Sequence, residues 1–578
     1  MDYPYLVIKD HIKITLEKVF ENLHYPKKVD LEIPPENMGD FSYPCFPLCK
    51  ISKISPQDTA KKIMNEIKLD HIIKNITIKS GYLNFHINDD FLITKTIDLI
   101  FHLQNKYGYL PNKEKKVIIE HTSANPNGPL HVGRARNPII GDTLKKIYTA
   151  AGYNSESQFY LDDLGKQVAI LTWGLNHISK KEFESSINKK PDHTAVVYYQ
   201  KTNEYMSENE KIQKEISEIV KQSEHGNKEI IQKVKDAYKP VLTGILESLN
   251  IINITIDSFI PESKFVEDDS VDLVIRKLKQ SEHCGEEDGA FYLNLDSFGI
   301  HGRNKKFFIT RSDGTSLYAT RDIAYHLWKA KKADLLVNIL GEDHKLEAKQ
   351  VEIGLTLIGE KNIPHPVFYS FVSLPGGKMS TRRGRVVYLD DLIKECVNRA
   401  YLEVKKRRSN DLSEKQMRHI AQMIGIGALR YNIIKVQPEK DIVFKWEEAL
   451  NFEGNAAPFI QYAHARAAGI LNKVSDQAID SKSFTYESLT HQSEINLCKK
   501  MSILPEIIFE SAHGFKPHLI AVYLYELASL FNQFYRDCPV IAETNDNLRK
   551  QRILIVNAIK IVLENCLTIL GIEAPDEM

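Results

Sequence analysis

The chain has 578 residues, 43% apolar and 26% charged, which excludes a disordered polymer and is too long for one hydrophobic core. About three or four domains are expected from that length. Lys and Arg number 76, as do Asp and Glu, so the chain is not a uniformly cationic nucleic-acid binder.

Residues 1–110 read as a small α/β module. The first residues, Met1-Asp2-Tyr3-Pro4-Tyr5, lack the basic-then-apolar order of a secretory signal. Ser55-Pro56 starts a helix, Gly81 to Phe85 makes a short strand, and the charged cluster Lys113 to Lys116 marks a boundary. A strand-and-helix region follows over 111–400, with strands at Leu335 to Leu340 and Val367 to Leu374. It is interrupted at about 175–290 by a charged helical insertion, where Ile212, Ile216 and Val220 share a face and Gly226 makes a break. Residues 401–578 are almost wholly helical. The segment from Ile553 to Ile572 is broken by Asn557, Lys560, Glu564 and Asn565, so it reads as a buried helix face and not a membrane span.

Seven scattered cysteines fit an intracellular chain with free thiols. Cys45 and Cys49 form the one close pair, and no second pair completes zinc spacing. The expectation is a cytoplasmic protein with no structural metal. Basic residues are concentrated locally, ten against four acids from Gly376 to Arg408 and eight against two from His301 to Ala333.

Three stretches carry chemistry. The first runs Glu120-His121-Thr122-Ser123-Ala124-Asn125-Pro126-Asn127-Gly128-Pro129-Leu130-His131-Val132-Gly133-Arg134, between the apolar run Val117-Ile118-Ile119 and a helix-like segment from Ile139. Strand, turn-rich loop and helix start is the order that binds nucleotides in open α/β sheets, because free N–H groups at a helix N-terminus attract phosphate. The second, Gly376-Gly377-Lys378-Met379-Ser380-Thr381-Arg382-Arg383-Gly384-Arg385, is a cationic glycine-containing loop. Such a loop can close on a triphosphate and neutralise charge on leaving pyrophosphate; it can equally be a basic surface turn. In the third, Arg311 to Trp328, Tyr318 and Asp322 lie four residues apart on one helix face. A carboxylate beside an aromatic ring suits a guanidinium, which takes two parallel hydrogen bonds and stacks its plane. The bland alternative is a surface helix with Asp322 paired to Arg321 or Lys329.

Taken together, these stretches resemble the arginyl-tRNA synthetases of class I. The first block matches the HIGH element and the second the KMSK loop. Phe452 to Arg466, Ala528 to Tyr535 and Leu570 to Pro575 are similar to that family's anticodon-binding domain. The resemblance covers essentially the whole chain. It implies a Rossmann-type parallel-sheet catalytic domain with a helical insertion, a small α/β N-terminal tRNA-binding module, and a helical-bundle C-terminal domain. It also implies a monomer that uses ATP with Mg2+, L-arginine and tRNA-Arg as substrates, with no zinc or tightly bound cofactor. By position in the family pattern, Glu120, Ser123, Asn125, Tyr318, Asp322 and His344 belong with arginine. His131, Gly133, Arg134, Gly341, Lys378, Met379 and Ser380 belong with ATP, and His131, Arg134 and Lys378 with the transition state.

Two departures from the pattern stand out. Arg134 replaces the second His of HIGH, and Thr381 the second Lys of KMSK; Arg382 or Arg383 are candidates for the missing charge. Such changes would also suit a non-catalytic paralogue that binds tRNA as a scaffold. A cysteinyl-type synthetase is the weaker alternative, disfavoured by Tyr318 with Asp322. Pro138 should kink the helix after Gly133 unless Asn137 caps a later start. Among Tyr462, Phe534 and Tyr535, aromatic candidates for stacking anticodon bases, most are expected in the core.

Overall fold

The computed structural model describes residues 2–35, 38–181, 190–373, 375, 387–474 and 484–578. The N-terminal part begins with α1 (Pro4–Asn22), whose Ile8, Ile12, Leu16 and Phe20 fall at helical spacing and are buried. Then come β1 (Phe41–Pro44), α2 (Phe46–Ser52), α3 (Pro56–Glu66), β2 (Ile73–Lys79), β3 (Tyr82–Ile87) and α4 (Asp89–Leu103). The strands form an antiparallel sheet in the order β1-β3-β2. Ser55 caps α3 through its Oγ, which accepts from the N–H of Asp58 at 3.1 Å, so the helix start expected at Ser55-Pro56 is present.

The central part holds a five-stranded sheet. Its elements in chain order are β4 (Lys116–Glu120), α5 (Arg136–Ala150), β5 (Asn154–Leu161), α6 (Lys166–His177), α7 (Pro191–Glu208), α8 (Glu210–Glu224), α9 (Lys228–Ile251) and β6 (Ser258–Pro261). They continue with α10 (Ser263–Glu267), α11 (Ser270–Lys279), β7 (Cys284–Glu287), β8 (Ala290–Asn294), β9 (Lys306–Phe308), α12 (Tyr318–Ala330), β10 (Leu335–Gly341), α13 (Lys345–Ile358), β11 (His365–Tyr369) and β12 (Val372–Ser373). The order across the sheet is β11-β10-β4-β5-β6, with all pairings parallel. From β4 the chain winds outward through β5 and β6, then crosses to β10 and β11 on the other side. The reversal therefore falls between β4 and β10, and a crevice opens beyond their carboxyl ends, where such sheets bind ligands. Val117, Ile118 and Ile119 of β4 are fully buried, as a central parallel strand covered on both faces requires.

The strand expected over Val367 to Leu374 is broken. β11 stops at Tyr369 and a separate β12 pairs with β13 (Ile442–Val443). Ser370 at the break donates its N–H to the carbonyl of Pro438 and its Oγ to that of Glu439. A loop distant in sequence captures the hydrogen bonds that would have continued β11.

The remainder is helical: α14 (Leu389–Arg408), α15 (Glu414–Ile434), α16 (Trp446–Ala449), α17 (Ala457–Asn472), α18 (Gln492–Ser502), α19 (Leu504–His513), α20 (His518–Asp537) and α21 (Asp546–Ile569). Residues Ile559, Val562, Leu563 and Cys566 of α21 are fully buried in a core shared with α17 and α20. No helix of the described residues is long and apolar enough to cross a membrane. The cysteines are all free thiols.

Candidate active site

β4 ends on Glu120, and the chain then turns through Thr122 and Ser123 at φ 71° and 35°. Positive φ is costly for a β-branched residue and persists only where neighbours over-determine it. Asn137 supplies that constraint. Its Oδ1 accepts from the N–H of Thr122 at 2.5 Å and its Nδ2 donates to the carbonyl of Ile339 at 2.8 Å, tying the loop after β4 to α5 and β10. The helix carrying Asn137 starts late, as one of the two expectations had it, but Asn137 is not its cap. A short 3-10 turn over Val132–Arg134 precedes α5, Ala135 occupies the cap position, and Pro138 falls third in the helix. Backbone N–H groups in a first turn have no intrahelical acceptor, so proline loses nothing there.

Around this crevice lies a cavity of about 560 Å³ lined by Glu120, Ser123, Asn125, Tyr318, Asp322 and His344. The six residues assigned to an amino-acid pocket thus converge from β4, the loop after it, α12 and the end of β10. Tyr318 stands open at the mouth, and Asp322 lies one turn deeper, half-buried. Arg321 and Lys329, the cations that a surface-helix reading would pair with Asp322, turn elsewhere. Arg321 donates from Nε to Glu262 Oε1 at 2.7 Å, and Lys329 from Nζ to Glu120 Oε2 at 2.7 Å. Burial, reinforced by the negative charges of Glu120 and Glu347, holds the Asp322 carboxyl well above the usual carboxylate range. Glu120 goes the other way: burial favours its acid form, but Lys329, His326 and the Ser123 hydrogen bond together outweigh that and keep its carboxyl below the usual value. At the rim, His344 Nδ1 lies 2.9 Å from Glu347 Oε2, a hydrogen bond that raises the imidazole.

Among the lining residues not singled out from the sequence are Tyr160, Asp162, Gln167 and Glu262. The buried oxygens Tyr160 Oη and Gln167 Oε1 have no hydrogen-bond partner. Burial and the facing Glu262 push Asp162 well above the carboxylate range. A cavity walled by carboxylates and unmatched acceptors is built for a ligand rich in N–H donors. The acidic pair Asp162-Asp163 directly after Phe159-Tyr160-Leu161 was the signal available for this wall.

Of the residues that the family pattern assigns to ATP, His131, Gly133, Arg134 and Gly341 are described. His131 Nδ1 accepts from the N–H of Gly133 at 3.1 Å, and Arg134 is exposed with Nη2 3.8 Å from Asp343 Oδ2. Gly341 ends β10, and an added Cβ there would run into the Asp343 carboxylate. Lys378, Met379 and Ser380, together with Thr381, Arg382 and Arg383, lie outside the described residues. The chain after them is seen: Val132 N–H donates to the Val387 carbonyl at 3.0 Å, and Leu389 N–H to that of Leu130 at 2.8 Å. The segment that follows the cationic loop is therefore stitched to the residues on either side of His131.

Among the described residues, Asp192, His193 and Asp390 place three potential metal-ligand atoms close together. Lys190 Nζ already lies 2.6 Å from Asp390 and 3.1 Å from Asp192, so the arrangement is an ion-pair network between the insertion and α14.

The helical part carries a second concave surface, of about 610 Å³, lined by Arg407, Arg408, Phe452, Tyr462, Arg466, Asn532 and Met578 among others. Phe534 is fully buried, whereas Tyr462 and Tyr535 are 42% and 46% exposed, so two of the three aromatic candidates are not core. The Arg466 guanidinium lies 4.7 Å from each of their ring centroids.

A parallel sheet with its crevice at the β4/β10 reversal, a His-x-Gly turn opening α5 and a helical domain behind it define a class I aminoacyl-tRNA synthetase. The family model described as tRNA synthetases class I (R), catalytic domain, matches residues 96–446. The arginyl tRNA synthetase N-terminal domain matches 6–87, and the DALR anticodon binding domain 460–578. The chain belongs to the arginyl-tRNA synthetase family. It is 43% identical to the arginine–tRNA ligase of Methanocella arvoryzae over 92% of each chain. It is 40% identical to that of Methanocaldococcus jannaschii, over 99% of this chain and 100% of the relative. The arginyl-tRNA synthetase structure from Thermus thermophilus superposes with a TM-score of 0.84 at 25% identity, covering 98% of this chain and 100% of that one.

Proposed function

We propose that this enzyme activates L-arginine with ATP and Mg2+ and transfers the arginyl group to the 3′-terminal adenosine of tRNA-Arg, releasing AMP and diphosphate. The observation that carries the reading is Asp322: it lines a donor-seeking cavity while both adjacent cations pair with other acids. A guanidinium donates two parallel bonds to its carboxylate while the Tyr318 ring covers the cation. Glu120, Ser123 and Asn125 hold the α-ammonium end, with His344 at the rim. Glu262 and Asp162, absent from the family-pattern assignment, supply further acceptors on the guanidinium side. Lysine cannot make the paired bond and would leave a buried carboxylate partly unmatched, which is how a site rejects a near relative of its substrate strongly.

In the first step the arginine carboxylate attacks the α-phosphorus of ATP and pyrophosphate leaves. His131, Gly133, Arg134 and Gly341 border the nucleotide, and Lys378, Met379 and Ser380 close over its phosphates, with His131, Arg134 and Lys378 neutralising charge in the transition state. In the second, a ribose hydroxyl of the tRNA takes the arginyl group. Side chains position and neutralise, with no covalent work of their own. Residues 1–110 and 401–578 hold the tRNA on either side of the catalytic part, 111–400. The enzyme acts as a cytoplasmic monomer.

The test is pyrophosphate exchange into ATP with arginine, lysine or cysteine, each with and without tRNA-Arg. Exchange with arginine only, appearing or rising with tRNA, is the expected result. No exchange with any amino acid, from protein that still binds tRNA, would overturn it in favour of a scaffold. Arg134 and Thr381 would then be the lesions to revert.

A further inference from the structure

The polar stripe of α12 does not end at Asp322. His326 and Lys329 continue it at one-turn spacing, and Lys329 is fully buried, which is unusual for a lysine unless its charge is matched. Its ammonium is matched completely. Nζ donates to Glu120 Oε2 and to Asn338 Oδ1, both at 2.7 Å, and stands 4.4 Å from the Tyr325 ring centroid. Asn338 is fixed in turn, because its Nδ2 donates to His326 Nε2 at 2.6 Å and His326 Nδ1 donates to the Asp322 carbonyl at 2.7 Å. On the other side of Glu120, Ser123 Oγ donates to Oε1 at 3.2 Å. Glu120 is thus gripped at both oxygens before any ligand arrives.

We infer that Lys329 is a positioning residue for the arginine pocket, holding Glu120 ionised and in one orientation so that its remaining lone pairs meet the substrate's ammonium. The inference rests on the reading of this cavity as the arginine site. Its physical content is a division of labour between two acids on opposite walls. Glu120 has a resident cation and stays charged in the empty pocket. Asp322 has only the imidazole of His326, 3.5 Å from its Oδ1 and held uncharged, and the more distant field of Lys329, so it receives its counter-charge from the ligand. Without Lys329, Glu120 would face Asp322 as a bare neighbouring acid, and the two would compete for protons. The charged or titratable groups that bear on Glu120 are Lys329, His326, Tyr325 and Asp322 from α12, and Glu156 on β5 acts in turn on Tyr325. Of these, Lys329 brings the one ammonium, and burial and Lys329 itself hold His326 down at about 3.

The test uses the full-length enzyme with arginine, ATP and tRNA-Arg. Lys329→Met is expected to raise the Michaelis constant for arginine about tenfold or more while leaving that for ATP within about twofold, as loss of one desolvated charge partner predicts. It should also move the acid limb of the pH profile of kcat/KM for arginine upward by about one unit or more. Lys329→Arg, which keeps the charge, should restore the acid limb. A Lys329→Met enzyme whose acid limb stays in place, or a Lys329→Arg enzyme whose limb moves as far, would overturn the inference and leave Lys329 a packing element only. Should Lys329→Met unfold, Glu120→Gln/Lys329→Met removes both charges together and keeps the test open. The double variant should lose no more arginine affinity than Glu120→Gln alone, because Lys329 acts through Glu120. Additive losses would overturn the inference. Wild-type enzyme that shows no arginine binding would instead refute the arginine reading itself.

Discussion

Asp142 on α5 and Arg430 on α15 meet in the protein interior, Oδ2 to Nη2 at 2.5 Å, although 288 residues separate them. Arg430 is fully buried, and it donates from Nε to the Leu570 carbonyl at 2.8 Å and from Nη1 to the Ile252 carbonyl at 2.7 Å. One guanidinium therefore joins the helix that follows the His-x-Gly turn, the end of the insertion, the helical domain and the end of α21. Arg430→Ala strands a buried carboxylate and two carbonyls and is expected to cost about 3–5 kcal/mol. Denaturant unfolding checks this. A loss under 1 kcal/mol would mean that Lys146, the other partner of Asp142, carries the pair without it.

Asp322→Asn keeps the size of the side chain but removes the charge that a guanidinium requires. Charge-assisted paired bonds in a desolvated site are about twice as strong as neutral ones. The expected loss in kcat/KM for arginine is about 10²-fold or more, with discrimination against lysine reduced in the same variant. Steady-state exchange kinetics with both amino acids decide it. An Asp322→Asn enzyme with unchanged preference for arginine over lysine would take Asp322 out of guanidinium recognition.

Arginine binding should also release protons. In the empty pocket Asp322 and Asp162 sit well above the normal carboxylate range, because burial and neighbouring acids favour the protonated form. A bound guanidinium favours the charged form, so the complex holds fewer protons than the free enzyme. Affinity therefore rises as pH rises toward and through the elevated free-enzyme values, and weakens as pH falls. Calorimetric titrations at one pH in two buffers of different ionisation enthalpy read the proton count directly. Uptake of protons on binding would contradict the assignment of these acids to the cation.

The sequence-level resemblance named residues that the fold brings to one cavity and its rim because each motif lies in one continuous stretch. Tyr318 with Asp322 needs only helical spacing, and Glu120 to Arg134 needs only a strand followed by turn residues. What remained hidden depends on partners far away in the chain. Glu262 and Asp162 line the pocket through β6 and β5, and neither short motif reveals that those strand ends face α12. Lys329 reads as an ordinary charge on a surface helix until Asn338 and Glu120 are placed beside it. The break in β11 has the same origin, since Ser370 gives its bonds to Pro438 and Glu439. The cap expected at Asn137 is missed for a local reason: a 3-10 turn delays α5 only to Arg136, Ala135 takes the cap, and Pro138 falls in the first helical turn, where it costs nothing.

The cationic loop allows a prediction from chemistry alone. Lys378→Ala removes an ammonium proposed to meet the negative charge that develops as pyrophosphate leaves, and a donor of that kind is worth about 10²–10³ in rate. Single-turnover adenylate formation at saturating arginine and ATP isolates the step. A rate within a few-fold of wild type would assign the charge to Arg382, Arg383 or Arg134 instead, and the corresponding single variants would then show the loss.

Tyr462 and Tyr535 expose rings on the surface of the helical domain with Arg466 between them, where neither ring contributes to the core. An exposed ring held by a guanidinium is pre-ordered, so stacking a splayed base on it costs little extra side-chain entropy. Replacing either tyrosine by alanine is expected to weaken tRNA-Arg binding by about 1–3 kcal/mol. Fold stability should change little, because nearly half of each tyrosine is already exposed to solvent. Arg466→Ala should weaken binding too, and in addition reduce the slope of log affinity against log salt if the guanidinium also meets a phosphate. Filter binding at several salt concentrations separates the two contributions. Unchanged binding in all three variants would move base recognition away from this groove.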